Sequence, residues 1–324
     1  MLHVTNGDVA VGRIASLGLE GDVLPWQDVL HDGPVPDDLN AAELRRTRAE
    51  FLARAHGLSP VEVLSRLQRR DARLERAIES EEILLWFEPD LYDQLQLLQV
   101  LDACDCEETG SAPQSVPLDT CLGFASDSTL LTAFEDRAPV SPDDREFASR
   151  AWGRFRSKDP TSLEAIAGDP RAGLPYVAGA IRRLLEEYPC NSRGLARSEA
   201  QLLEAIAGEA ETAAEAFRVS ANREEYVYLG DASFAGYLRR LGAGDRSLVR
   251  FADGGPISAA DPADVKGRFW HAPVQLTSEG RAVLAGQLDR AEVLPFDHWI
   301  GGVHLEGTNP VWRRDAAGHI HRIS

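Results

Sequence analysis

Ile83-Leu84-Leu85-Trp86-Phe87-Glu88-Pro89-Asp90-Leu91-Tyr92-Asp93-Gln94 is the stretch whose reading decides the fold. Its apolar run predicts a strand over 82–87, buried on both faces as in a parallel sheet. Pro89 stops that strand, and Asp90 is placed to cap a helix. Leu91, Leu95, Leu98 and Leu101 then recur at helical spacing. Leu2-His3-Val4-Thr5-Asn6-Gly7-Asp8 has the same plan, a short strand over 2–5 that turns into a helix through Val11, Ile14 and Leu17. Gly18 and Gly21 end that helix. Two strand-to-helix junctions in the first hundred residues predict a small, mostly parallel α/β sheet. In such sheets ligands bind beyond the carboxyl ends of the strands.

Between the junctions, a strand at Val23-Leu24-Pro25-Trp26 precedes a polar loop, and residues 40–79 read as two helices. Asn40 and Ser59 are their natural N-caps, and Ser59-Pro60-Val61-Glu62 combines a cap, a first-position Pro and a third-position Glu. A short strand is expected near 116–118. From about 126 the pattern is helical, with starts at Ser141-Pro142 and Asp159-Pro160, until Pro189 and Asn191 break it. Residues 192–290 read differently. Ser198-Glu199-Ala200-Gln201 opens one helix as a capping box, a second covers 211–217, and Asp231 caps a third. Strands over 247–252 and 273–276 follow, which together describe a winged helix-turn-helix unit. The tail has three strand-like runs, with Trp299 and Trp312 as core candidates. The expected division is an α/β domain over 1–125, a helical connection over 126–190, and a winged-helix-like α+β domain with a C-terminal β meander over 191–324.

With 324 residues, 44% apolar and 27% charged, the chain has the composition of a globular protein and the length of two domains. No apolar run approaches the roughly 20 residues that span a bilayer, and the N-terminus lacks signal-peptide character. A cytoplasmic protein with no membrane partner is expected. The net charge of −18 is concentrated early: residues 1–189 hold 19 basic and 34 acidic side chains, residues 190–324 hold 15 and 18. An acidic first half repels phosphate backbones, which argues against nucleic acid there. Cys104, Cys106, Cys121 and Cys190 lack the spacing of a zinc ribbon or finger and read as structural thiols.

Three segments gather the chemistry. Gly7 permits a tight turn and a close backbone approach at a helix start, where free amides receive phosphate or carboxylate. Asp8 either meets the ligand there or caps the helix. The loop Trp26-Gln27-Asp28-Val29-Leu30-His31-Asp32-Gly33-Pro34 holds His31, the natural acid or base near neutral pH. The alternative is a surface loop whose Asp residues make turns. The third segment sets Glu88, Asp90, Asp93 and Gln94 at a strand end and on the first helical turn. There they are either polar ligand contacts or a cap with solvated acids favoured by the helix dipole. Glu88 and Asp90 with Asp8 are a conceivable divalent-cation set, but no metal is assigned. Arg239 and Arg240 lie where a recognition helix would be, beside Asp231 and Asp245, so packing or homodimerisation is the favoured use of that unit over DNA contact. His298, His304, His319 and His321 have neither Cys nor a Glu-x-x-His spacing beside them.

His3-Val4-x-x-Gly7-Asp8, His31-Asp32-Gly33-Pro34 and Leu85-Trp86-Phe87-Glu88-x-Asp90-x-x-Asp93-Gln94-Leu95 together resemble the bacterial family of domains of unknown function called DUF1835, over residues 1–125. Asn191-Ser192-Arg193-Gly194-Leu195, Gly230-Asp231-x-x-Phe234 and Trp299-Ile300-Gly301-Gly302-Val303-His304-Leu305 resemble the region found downstream of it. The resemblance implies the domain plan and the choice of motifs, but no reaction and no cofactor. The resulting expectation is a small polar or phosphorylated ligand held by Gly7, Asp8, Asp32, Glu88, Asp90, Asp93 and Gln94. The alternatives are a hydrolase or transferase with His31 as proton carrier and a DNA-binding regulator.

Overall fold

The computed structural model describes residues 1–105, 112–308 and 311–323. The chain divides into two units, residues 1–182 with 301–303, and residues 183–300 with 304–324. Cys106 lies outside the described residues, and with it the pairing question at Cys104. Cys121 and Cys190 are free thiols. No helix among the described residues is long and apolar enough to cross a membrane.

In the first unit, β1 (Leu2–Thr5) is wholly buried and leads into α1 (Asp8–Ser16) and β2 (Asp22–Pro25). The pair α2 (Ala41–His56) and α3 (Pro60–Ser80) carries the chain to β3 (Ile83–Trp86). Then come α4 (Leu91–Asp105), β4 (Gln114–Ser115), α5 (Asp127–Glu135) and β5 (Ala138–Pro139). The sheet order is β2-β1-β3-β4-β5, parallel except for β5, which pairs antiparallel with β4. The register sets Leu2 beside Ile83 and Val4 beside Leu85, so apolar side chains of the two central strands align. The chain leaves β1 for one neighbour and returns on its other side. That reversal between β1 and β3 is a topological switch point.

Local chemistry explains most element ends. Asn40 accepts from the amides of Ala42 and Glu43, while Glu43 reaches back to the Asn40 amide, a complete capping box for α2. Pro60 begins α3, but the Ser59 side chain makes no cap bond. The strand expected near 116–118 is the two-residue β4 at 114–115, and Val116 adds one more bond to Leu85 O. Beyond the sheet come α6 (Pro142–Arg156), α7 (Leu163–Ala167) and α8 (Val177–Leu185). α6 packs along α4, so α4 is covered on its outer side as well as by the sheet. Its first turn is therefore buried almost all round.

In the second unit, α9 (Arg197–Ala207), α10 (Ala213–Ala221) and α11 (Asp231–Leu241) precede the antiparallel pair β6 (Val249–Phe251) and β7 (Val274–Leu276). A bridge between Thr212 and Pro273 extends that pairing. The core is built from Leu202, Leu203, Phe234, Leu238, Phe251 and Phe269. α9 starts two residues earlier than expected, with Ala196 rather than Ser198 as its N-cap. Glu199 reaches back to the Ala196 amide, and Ser198 turns inward to Glu187 instead of capping. Gly230, not Asp231, is the N-cap of α11. After α12 (Arg268–His271), α13 (Ser278–Leu284) and α14 (Arg290–Val293) come short strands, β8 (Phe296–Ile300), β9 (Val303–Gly307), β10 (Trp312–Arg314) and β11 (Ile320–Arg322). Trp299 and Trp312, expected in the core, are only half-buried, and Trp299 stacks flat on His304 at 4.6 Å.

Candidate functional site

The switch point brings the two junctions together. Thr5 Oγ1 donates to Trp86 O at 3.1 Å, and Asn6 Nδ2 donates to Asp93 Oδ1 at 2.9 Å. The chain leaving β2 joins the same edge, with the Trp26 and Gln27 amides donating to Thr5 O and Asn6 O at 2.7 and 3.0 Å.

Glu88, Asp90 and Asp93 offer carboxylate oxygens within 4.8 Å of one another. All three are buried, with exposures of 8%, 7% and 0%. Asp90 caps α4 by accepting from the Asp93 amide at 3.1 Å. Asp93 Oδ2 accepts from the Glu88 amide at 2.6 Å, and Glu88 Oε1 from the Leu122 amide at 2.9 Å. Gln94 Nε2 donates to Glu88 O at 2.7 Å. Burial and the neighbouring Glu88 charge push the Asp90 carboxyl up to about 7. Burial, then the charges of Asp90 and Glu88, push Asp93 well above the usual carboxylate range. Burial raises Glu88, and burial with the Glu88 charge pushes the Cys121 thiol up to about 11. Adjacent carboxyls in a dry site cannot all ionise. At neutral pH the cluster therefore retains protons and offers O–H donors as well as acceptors. Hard cations also take such oxygens, but here each carboxyl is already committed to at least one backbone amide.

The loop after β2 is clamped from α2. Arg48 pairs with Asp28 Oδ1 at 2.7 Å and donates to Val29 O and Asp32 O, both at 2.8 Å. Gly33 has φ of +80°, and a Cβ there would lie 2.5 Å from the Phe51 ring. These contacts place the buried His31 edge-on to the Tyr92 ring, 6.0 Å between centroids. The surface-loop alternative is thus wrong for Asp28 and His31, which are inside, while Asp32 is half-buried.

Asn6, Glu88, Asp90, Asp93 and Gln94 form one group, with His31 behind Tyr92. Asp8 does not belong to that group. It is exposed on the first turn of α1, and Gly7 is the N-cap. Nor does Gly7 make the tight turn expected of it. Its φ of −169° is extended backbone open to any residue, and a Cβ there would meet nothing within 4 Å. The sequence reading overlooked Asn6, Tyr92 and Cys121. Asn6 was the findable one, as the last polar residue before the turn.

A cleft of about 490 Å³ opens beyond the carboxyl ends of β3 and β4. Phe87, Gln94, Val116, Leu118, Thr132 and Tyr176 are among its lining residues. Gln94 thus donates to the Glu88 backbone carbonyl and also lines the cleft, whose lining includes none of Glu88, Asp90 and Asp93. In the second unit, Arg239 is exposed, but Arg240 is half-buried with its guanidinium 4.4 Å from the centroid of the Tyr237 ring. The two arginines do not form one outward patch. No protein-family model matches the chain, and no curated protein is significantly similar to it.

Proposed function

We propose that the first unit is a binding module for a small polar ligand, taken up at the carboxyl ends of β1, β3 and β4. The observation that carries this reading is Gln94, which hydrogen-bonds to Glu88 O at the switch point and lines the adjoining 490 Å³ cleft. Ligand sites of open α/β sheets lie at such points, and a mainly apolar cleft with a few convergent polar groups has the usual make-up of a small-molecule site. The cleft's own polar side chains, Asp119, Thr129, Thr132 and Asp136 beside Gln94, favour a ligand rich in hydroxyl or amine groups. A phosphorylated ligand would keep its phosphate away from them, toward the start of α1, where the first amides have no partner within the helix. The resemblance to DUF1835 is part of the same reading, since its three motif segments are the ones that surround this edge.

The test is a thermal-shift panel of polyols, nucleosides, sugar phosphates and divalent cations. A ligand that binds only the native state raises the melting temperature in a concentration-dependent way. The expected result is a saturable rise with a polyol or nucleoside that disappears in Gln94→Ala. A panel with no rise, or a rise that Gln94→Ala retains, rejects the reading.

One observation favours a second, enzymatic reading. Asp90, held near 7, is a better-placed proton carrier than His31, because it lies among the other carboxyls. Turnover of a ligand found in the panel, lost in Asp90→Asn, would support it.

For the second unit we infer a winged helix spanning α9 to β7. The bridge from Thr212 to Pro273, between α9 and α10, supports it as the short first strand of such a fold. With Arg240 drawn inward, packing or self-association suits this unit better than DNA contact.

A further inference from the structure

We infer that the ligand of the 490 Å³ cleft in the first unit is a cation, a protonated amine on a largely apolar body. This rests on the reading of that cleft as a ligand site and adds the sign of the ligand's charge to it. Asp119 and Asp136 are among the lining residues, and none of the lining residues is a lysine, arginine or histidine. Both aspartates are exposed, and neither meets a basic partner among the described residues. A third carboxylate, Asp144 of α6, lies against the wall at Gly173, where a Cβ would collide with it. Its donor is neutral, the Ser141 hydroxyl at 2.7 Å. Asp136 is also the C-cap of α5, whose last turn holds no basic residue. The C-terminal end of a helix carries partial negative charge, which favours a cation there.

The arginines next to the lining segments in sequence are turned elsewhere. Arg137 donates to Phe134 O at 2.8 Å, with its guanidinium 4.3 Å from the centroid of the Phe134 ring. Arg171 donates to Asp169 at 3.0 Å and lies 4.8 Å from the centroid of the Phe147 ring. A phosphate or carboxylate entering the cleft meets like charges and no counter-charge, whereas an ammonium meets the reverse. The walls set the rest of the ligand. Leu85, Phe87, Leu97, Val116, Leu118 and Leu174 give an apolar surface, and Thr129, Thr132 and Gln94 add side chains that bond to hydroxyls. A bare divalent ion needs several oxygens converging on one point. Among the described residues Asp119 and Asp136 belong to no such set of three ligand atoms, and an organic cation does not require one.

The experiment titrates the full chain at pH 7 and low salt, by isothermal calorimetry, with three compounds of nearly one shape. Tyramine, tyrosol and hydroxyphenylacetate carry an ammonium, a hydroxyl and a carboxylate at the end of the same phenol. Tyramine should bind about tenfold more tightly than tyrosol, and hydroxyphenylacetate more weakly than either. The gap between tyramine and tyrosol should close in the double variant Asp119→Asn with Asp136→Asn, and narrow in about 1 M sodium chloride. Both positions are exposed, so the double variant keeps the fold. Gln94→Ala, by contrast, should weaken tyramine and tyrosol alike. Tyrosol binding as tightly as tyramine, a gap that survives the double variant, or a polyol or nucleoside that binds where tyramine does not, overturns the charge assignment and leaves the cleft reading standing. No binding of tyramine, together with a thermal-shift panel that gives no rise, removes the cleft reading and this inference with it.

Discussion

Asn6 Nδ2 donates to Asp93 Oδ1 at 2.9 Å across 87 positions of sequence. Its own carbonyl accepts from the Gln27 amide at 3.0 Å. One side chain and one peptide group thus join the ends of β1, β2 and the β3–α4 junction. The amide is also a neutral donor set among acids, which is the partner a buried carboxyl needs when no cation is near.

Replacing that donor tests its role. Asn6→Ala leaves Asp93 Oδ1 without its partner in a site that is 0% exposed, which costs about 1 to 3 kcal/mol. Asn6→Asp costs more at pH 8 than at pH 5, because it adds a fourth acid to the group. Urea unfolding of both variants at the two pH values checks the order.

The carboxyl cluster makes the first unit less stable as pH rises. Asp90 has an ordinary value of 3.8 and a folded value of about 7, so the native state keeps a proton that the unfolded chain releases. Stability is then full below pH 4 and declines until pH 7, above which this group adds no further change. Asp93 shifts in the same direction. Asp90→Asn keeps an oxygen for the Asp93 amide and removes the charge. It should stabilise the first unit by about 1 to 3 kcal/mol at pH 8 and by little at pH 4.5. Amide hydrogen exchange in β1 and β3 reads this directly, and protection unchanged between pH 5 and 8 would contradict it.

The strands and most helices were legible because their signals are local. The apolar runs at 2–5 and 83–86 predicted parallel strands, and Pro60, Pro142 and Asn40 fixed helix starts within a residue or two. The convergence of the first and third motif segments was legible too, since a parallel sheet aligns its carboxyl ends. Burial of the third segment was not. Asp93 reads as a solvated first-turn acid, but it is bonded by Asn6 from the far end of β1, and α6, supplied from 142–156, packs along α4. Gly7 shows the opposite error, where a residue with free choice of conformation was given a turn it does not make.

The clamp on the His31 loop gives a third expectation. Arg48 and Asp28 are each 1% exposed, and Arg48 also satisfies two loop carbonyls. Removing one partner of a buried pair leaves the other charge unmet, which typically costs about 3 to 5 kcal/mol. Arg48→Met should lose that much, while the double variant Arg48→Met with Asp28→Leu should recover part of it. A double-mutant cycle on unfolding free energies shows the coupling. Ligand effects found in the thermal-shift panel should fall with Arg48→Met if the loop shapes the site.

The second unit should respond to pH with the opposite sign. Glu187 is 4% exposed and accepts from Arg183 and Ser198 at 2.7 Å and from Tyr237 at 2.8 Å. Burial alone would raise its carboxyl, but the Arg183 charge and these donors bring it below its ordinary 4.5. A carboxyl depressed on folding stabilises the native state above its unfolded value, and that stabilisation is lost as pH falls through the folded one. Protection of α9 and α11 amides should therefore hold from pH 8 to 5 and drop below about pH 4.5. Over the same descent β1 and β3 should gain protection as Asp90 takes up its proton. Tyr237→Phe removes one donor and should cost about 1 kcal/mol. Glu187→Ala should cost about 3 to 5 kcal/mol, because Arg183 keeps Glu224 at 2.8 Å while Ser198 and Tyr237 lose their acceptor. It should also flatten the acid limb in α9 and α11 and leave the first unit's pH response unchanged. An acid limb that persists in Glu187→Ala would move the sensitivity to another carboxyl of the second unit.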